Sequence, residues 1–205
     1  KATLDYTNSG TFIKFYQDTT VESLADFAVK EIEGKLFAGW MDAEEKAVTD
    51  TQFSDGTTLT AKYVDFSTDD NGDFFIKGNQ IREDSEKQEI RTVVQLSNSI
   101  SETFSSVEYG TVHIVNKLLG VHELVKDGKY PYNDATHNAI CTVGTTLETT
   151  EENVFYTATI QDIQAQGFQT DYAIKGYITY SDLNGISRTV YTEELVISVS
   201  DIAEK

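Results

Sequence analysis

Leu36-Phe37-Ala38-Gly39-Trp40 is the stretch on which the fold turns, and it holds the only tryptophan of the 205-residue chain. Two large aromatic residues flank a glycine, directly after a segment of helical apolar spacing. The run Thr58-Leu59-Thr60-Ala61-Lys62-Tyr63 follows, with strand character. A helix leading into an aromatic-Gly-Trp strand can bury one face of a small sheet. Large aromatics dominate small cores, so Trp40 is read as core and not as a sugar platform.

Working outward toward the N-terminus, residues 4–16 read as two short strands around Asn8-Ser9-Gly10, a tripeptide with turn chemistry. Thr19-Thr20-Val21-Glu22 has the form of a capping box, with Thr19 at N-cap and Glu22 at N3. Val21, Leu24, Ala25 and Ala28 then recur at helical spacing, widened by Phe27 and Ile32. The pattern predicts a helix of roughly 12 residues that stops at Gly34. Asp55-Gly56 marks a turn between the two strand runs.

Toward the C-terminus, residues 65–73 form an acidic break, Asp65-Phe66-Ser67-Thr68-Asp69-Asp70-Asn71-Gly72-Asp73. An EF-hand alignment puts Ser67 at position 1 and Gly78 at position 12, where a bidentate Glu is required, so the segment reads as an Asn-Gly turn and domain boundary. Beyond it, alternating segments recur at 90–96, 107–116, 139–143, 154–163, 172–180 and 186–191. Val154, Tyr156, Ala158 and Ile160 share one face, as a half-buried strand requires. Asn184-Gly185 is a hairpin signal, and Ser198–Lys205 reads as a short closing helix. Eleven Tyr and eleven Phe fit pleated, β-rich cores. The expected fold is mainly β with a small α+β part: a β-grasp-like unit over residues 1–66 and a β-sandwich over 74–205.

Two resemblances accompany this reading. Leu36-Phe37-Ala38-Gly39-Trp40-Met41-Asp42, a variable loop, then Thr57-Thr58-Leu59-Thr60-Ala61-Lys62-Tyr63 resembles the β-grasp repeat of listerial internalins and many secreted bacterial proteins. Thr60 stands where that repeat carries an aromatic, and its prolines around the helix are missing here. Lys77-Gly78-Asn79-Gln80-Ile81-Arg82, Glu108-Tyr109-Gly110-Thr111-Val112 and Tyr172–Tyr180 before Asn184-Gly185 are similar to an uncharacterised module of large secreted proteins of gut clostridia and ruminococci. The resemblances imply an extracellular or cell-surface setting beside neighbouring modules of a longer Gram-positive protein, and no catalytic residues.

The charge balance excludes some partners. Thirty-four acidic against sixteen basic residues give a net charge of −18, a field that repels nucleic acid. No apolar run approaches the ~18 residues of a membrane span. Cys141 is the only cysteine and reads as a small buried hydrophobe. The chain starts at Lys1, without an initiator methionine or signal segment, which reads as a mature or excised fragment.

Searches for chemistry come up short. No G-x-S-x-G elbow is present, and His122-Glu123 lacks the second histidine of a zincin because position 126 is Lys126. Neither a metal site nor a cofactor is expected. His113 alternates within a strand and reads as structural. Lys175, in an apolar strand, is a candidate for a Lys–Asn isopeptide crosslink. Binding chemistry concentrates in 129–138, read as a loop. Tyr130 and Tyr132 offer stacking surfaces, while Asn133, Asp134 and His137 offer hydrogen bonds to hydroxyls, the mixture a sugar site uses. The expectation is a monomeric, non-catalytic module that binds polysaccharide through these five residues. The alternative is a ligand-free spacer or display module.

Overall fold

In the computed structural model the described residues are 3–5, 15–16, 23–49, 58–84 and 87–204; for 3–5, 15–16, 83, 84 and 87 only the backbone is described. The expected turns at Asn8-Ser9-Gly10 and Asp55-Gly56 and the Thr19–Glu22 capping box lie outside these residues. The protein is mostly β and divides into two compact units. The first comprises residues up to Ser67, together with Ser101–Val107 and Thr179–Arg188. The second comprises Thr68–Ile100, Glu108–Ile178 and Thr189–Lys205.

The first unit is built on strands β1 (Thr3–Asp5), β2 (Phe15–Tyr16), β3 (Lys35–Met41) and β4 (Thr58–Asp65), in the order β2-β1-β4-β3. β1 and β4 run parallel at the centre, with antiparallel β2 and β3 outside them. Its core gathers Leu24, Phe27, Phe37, Trp40, Val48, Leu59 and Ala61. Trp40, fully buried, meets Phe37 and Phe27 edge-on at centroid distances of 5.2 and 6.0 Å, so it is core as the sequence predicts.

Phe37 and Trp40 are three residues apart, a spacing that in a regular strand sends side chains to opposite faces. A bulge resolves this. The β3–β4 register shifts between Phe37 and Gly39, pairing Phe37 with Tyr63 and Trp40 with Ala61. One extra residue restores the phase, and both rings enter the same core. Gly39 sits at φ +148°, and a Cβ there would lie 2.7 Å from Asn184 Oδ1. The glycine of the motif is thus required twice, by conformation and by space.

Asn184 belongs to the hairpin tip that completes this unit. Its Oδ1 accepts from Trp40 N at 2.6 Å, and its Nδ2 donates to Trp40 O and Val48 O, both at 2.8 Å. Leu183 N donates to Ala38 O (2.9 Å), and Tyr180 Oη to Phe37 O (2.8 Å). Asp182, whose side chain is fully buried, accepts from Asn184 N, Ile186 N and Arg188 Nε; the Arg188 guanidinium lies 4.5 Å above the Phe37 ring. The tip therefore clasps the β3 edge along its aromatic-Gly-Trp stretch.

The predicted helix is not formed over its described part. Residues 23–33 contain one 3-10 turn, Leu24–Asp26, capped by the Ser23 hydroxyl accepting from Ala25 N. Phe27 then leaves helical conformation at φ −77°, ψ 128°. Short helices depend on packing of an apolar face. Among the described residues of the predicted stripe only Leu24 and Phe27 are buried, and Ala25 and Ala28 lie exposed with little surface to bury. Gly34, at φ +69°, turns the chain into β3 and does not end a helix.

In the rest of the chain follow β5 (Phe74–Asp84), β6 (Lys87–Ser97), α1 (Ser99–Thr103), β7 (Ser105–Val115), α2 (Asn116–Leu119), β8 (Lys129–Tyr132), β9 (Ala135–Asn138) and β10 (Ile140–Val143). After them come β11 (Thr145–Thr149), β12 (Asn153–Ile163), β13 (Tyr172–Ser181), β14 (Ser187–Tyr191), β15 (Leu195–Ile197) and α3 (Val199–Ala203). One antiparallel sheet has the order β11-β12-β6-β5, and the other β10-β7-β13-β14, with β15 also on β13. Their facing sides enclose Ile90, Ile160, Ile163, Ile174, Ile197 and Val199, a sandwich-like core. A second core, with Val112, Leu124, Tyr130, Ala173 and Tyr177, covers the other side of β7 and β13. Adjacent Ala173 and Ile174 serve opposite cores, which is why β13 is buried on both faces.

All six predicted alternating segments are strands. Asn71, at φ +68°, forms the expected turn with Gly72 N donating to Asp69 O. Ser198 and Asp201 make the capping box that starts the closing helix α3.

Candidate functional site

The sequence-predicted binding segment is not a loop but a two-stranded hairpin, β8–β9, with Tyr130 opposite His137 and Tyr132 opposite Ala135. Asn133 and Asp134 form its two-residue turn, at φ +46° and +60°. That left-handed pair is the signature of a type I′ turn, whose twist matches the strands it joins.

Tyr130 points into the second core and is 4% exposed. Its hydroxyl donates to Glu123 O (3.0 Å) and accepts from Val125 N (2.8 Å). Gly128 lies so close to this ring that a Cβ would overlap the hydroxyl. A ring enclosed in this way has no face for a sugar, so the stacking role expected of Tyr130 is withdrawn. It is the peg that fixes the hairpin to the sheet.

Of the other four, Tyr132, Asn133 and Asp134 lie at the turn end of the hairpin, and His137, on the rung of Tyr130, reaches Tyr132 diagonally. Tyr132 is half-buried, with Lys117 Nζ 5.8 Å from its ring centroid and His137 6.3 Å away, edge-on. Asn133 and Asp134 are exposed at the tip. The arrangement offers one aromatic ring already partnered by a cation and an imidazole, plus a carboxylate and an amide. It can accept or donate hydrogen bonds, but it lacks the second ring the sequence reading supplied.

Most polar groups nearby hold the fold. Lys126 Nζ pairs with Glu108 at 2.6 Å and sits 4.7 Å over the Tyr177 ring. That hydrogen bond and charge lower the Glu108 pKa, whereas burial, aided by the Glu108 charge, pushes the Tyr177 hydroxyl up to about 12. Lys175 pairs with the exposed Glu123 at 3.3 Å, so its observed acidic partner is a carboxylate and not the Asn of a Lys–Asn crosslink. Cys141 is half-buried against the second core. His113 is buried on β7 with Nδ1 unpartnered, and burial lowers its pKa to about 4. Among the described residues no three His, Cys, Asp or Glu are grouped to hold a metal ion, and no helix is long and apolar enough to cross a membrane.

A feature the sequence reading missed is a groove of about 830 Å³ in the second unit, with Phe75, Ile76 and Leu195 on its floor. Asp69, Asp70, Glu193 and Glu194 stand along its rim. Its sequence signal is a pair of acidic doublets far apart in the chain. In a protein of net charge −18 such doublets do not stand out.

No protein-family description, curated protein or solved structure matches this chain. The resemblances to the internalin-type repeat and to the clostridial module therefore rest on the quoted motifs alone.

Proposed function

We propose that the chain is a non-catalytic structural module of a secreted or cell-surface bacterial protein, one that spaces or displays its neighbours and acts as a monomer. The observation that carries this reading is the burial of Tyr130, which removes one of the two stacking rings from the expected polysaccharide site. In support, charged side chains are tied up as Lys126–Glu108, Lys175–Glu123 and Arg188–Asp182, pairs that brace the fold. The extracellular, Gram-positive setting is carried by the motif resemblance.

Polysaccharide binding is the second reading, favoured by one observation: Tyr132, with His137 edge-on beside it, adjoins the exposed turn residues Asn133 and Asp134. A retention assay on insoluble starch, cellulose, xylan and mucin separates the two. The spacer reading expects no retention above a beads-only control. Retention lost in Tyr132→Ala and kept in Tyr130→Phe would replace it with the glycan reading.

A further inference from the structure

We propose that the groove between β5 and β15 is a docking surface for an extended, basic peptide segment that adds to a sheet edge. The proposal concerns a different face and a different ligand from the hairpin, and a negative glycan assay leaves it standing.

Two strand edges frame the groove. β5 is the last strand of its sheet, and among the described residues it pairs only with β6. Among the described residues β15 pairs only with β13, over three residues. Neither has a strand on its other side among the described residues, although α3 packs against β5; such an edge is a template on which another strand can form. The stretch of β5 along the groove runs from Phe75 to Asn79, about 15 Å of strand at the usual rise. That length takes a short segment, not a domain. Within it the β5–β6 register shifts between Ile76 and Gly78. A Cβ at Gly78 would meet nothing within 4 Å, so the backbone is open to close approach.

The floor and rim define the occupant. Ile76, Leu195 and Ile202, each partly buried, present apolar surface over the buried Phe75 and Ile197, while Asp69, Asp70, Glu193 and Glu194 are exposed around them. Among the described residues no lysine or arginine lines the groove. Lys77, beside it in sequence, is engaged elsewhere: its Nζ donates to Gln95 Oε1 at 3.3 Å and lies 5.2 Å from the Phe155 ring centroid. An apolar floor under a rim of one sign calls for a ligand with apolar and cationic groups in alternation. An extended strand supplies that pattern through its two-residue period. Nucleic acids and acidic glycans are repelled by the rim. A second copy of this chain, also carrying −18, is disfavoured for the same reason, which leaves a basic partner segment.

The test is a titration of the isotope-labelled full chain with acetyl-(Lys-Val)3-amide, followed by backbone amide shifts. Expected are saturable shifts centred on 75–79 and 193–197, with a dissociation constant on the order of 0.1–1 mM. Raising salt from 20 to 300 mM should weaken binding roughly tenfold. Acetyl-(Glu-Val)3-amide should give no shifts. A Lys-Gly peptide of equal charge should bind at least about fivefold more weakly. Glu193→Lys/Glu194→Lys, two exposed positions, should weaken the Lys-Val peptide about tenfold while the rest of the spectrum is unchanged. Shifts spread over the whole acidic surface, equal binding of the Lys-Gly peptide, or no shifts at 1 mM peptide would overturn the proposal.

Discussion

Replacing Asn184 with alanine tests how the first unit is held together. The amide makes three hydrogen bonds, accepting from Trp40 N and donating to Trp40 O and Val48 O. Each such bond contributes about 0.5–1.5 kcal/mol net, and orphaned backbone groups cost more where water cannot reach them. Asn184 is half-buried, so partial resolvation is open to these groups, and a loss of about 2–4 kcal/mol is expected. Trp40 is the only tryptophan and lies inside this core, so its fluorescence during urea unfolding reports on this unit. With a urea dependence of about 1–3 kcal/mol per molar, the midpoint should fall by about 1–2 M. Gly39→Ala adds a control. In the wild type the new methyl meets Asn184 Oδ1 at 2.7 Å and is strained at φ +148°. In the Asn184→Ala background that collision is gone, leaving the conformational strain and the tighter 3.3 Å approaches to Leu183 Cβ and Met41 Cε, so the two changes must cost less together than their sum. A stability loss under about 0.5 kcal/mol for Asn184→Ala, or strict additivity of the pair, would refute the clasp.

Trp40→Ala should destabilise the same unit by about 3–5 kcal/mol, measured by circular dichroism because the fluorophore is gone; a near-neutral result would contradict its place in the core. His113 has a folded pKa near 4 against an ordinary 6.5, so the unfolded chain takes up its proton first. Stability from this residue is complete above pH 6.5 and is lost as pH falls toward 4, by about 3 kcal/mol over the window. His113→Leu should flatten that part of the pH–stability curve, and an unchanged slope would show that His113 titrates normally. Tyr130→Phe loses two hydrogen bonds and should cost about 1–2 kcal/mol, while Tyr132→Ala should cost under about 1 kcal/mol. Thermal melts giving the reverse order would place the peg of the hairpin at Tyr132.

Alternation made the strands legible. Tyr156, Ala158 and Ile160 are buried on one side of β12 as their spacing required. Asn184-Gly185 announced its turn, with Gly185 at φ +80°. What alternation does not carry is a partner distant in sequence. The asparagine of that turn bonds to residues 144 positions earlier, and no local pattern encodes it. Over the described part of the predicted helix, from residue 23 on, helical spacing is present without enough apolar area to stabilise a helix. The hairpin at 129–138 was hidden by Pro131, which weakens a strand reading. The left-handed pair Asn133-Asp134 between Tyr132 and Ala135 was the missed signal. Tyr130 looked like a ligand platform because its neighbours in sequence are polar; its neighbours in space, Val112, Leu124 and Ala173, come from other elements.

The clasp of Asn184 on Trp40 also sets an order of events as the chain is made. At a translation rate of about 5–20 residues per second, the 144 positions between the two residues take on the order of ten seconds to emerge. For that interval the β3 edge from Phe37 to Trp40 stands without its cover, an open template for mispairing with another nascent chain. The first unit begins to emerge before the second, yet it is complete only when Arg188 has been made. A chain cut short before Tyr180 carries every residue of the Leu36–Trp40 motif and still lacks the hydrogen bonds that close it.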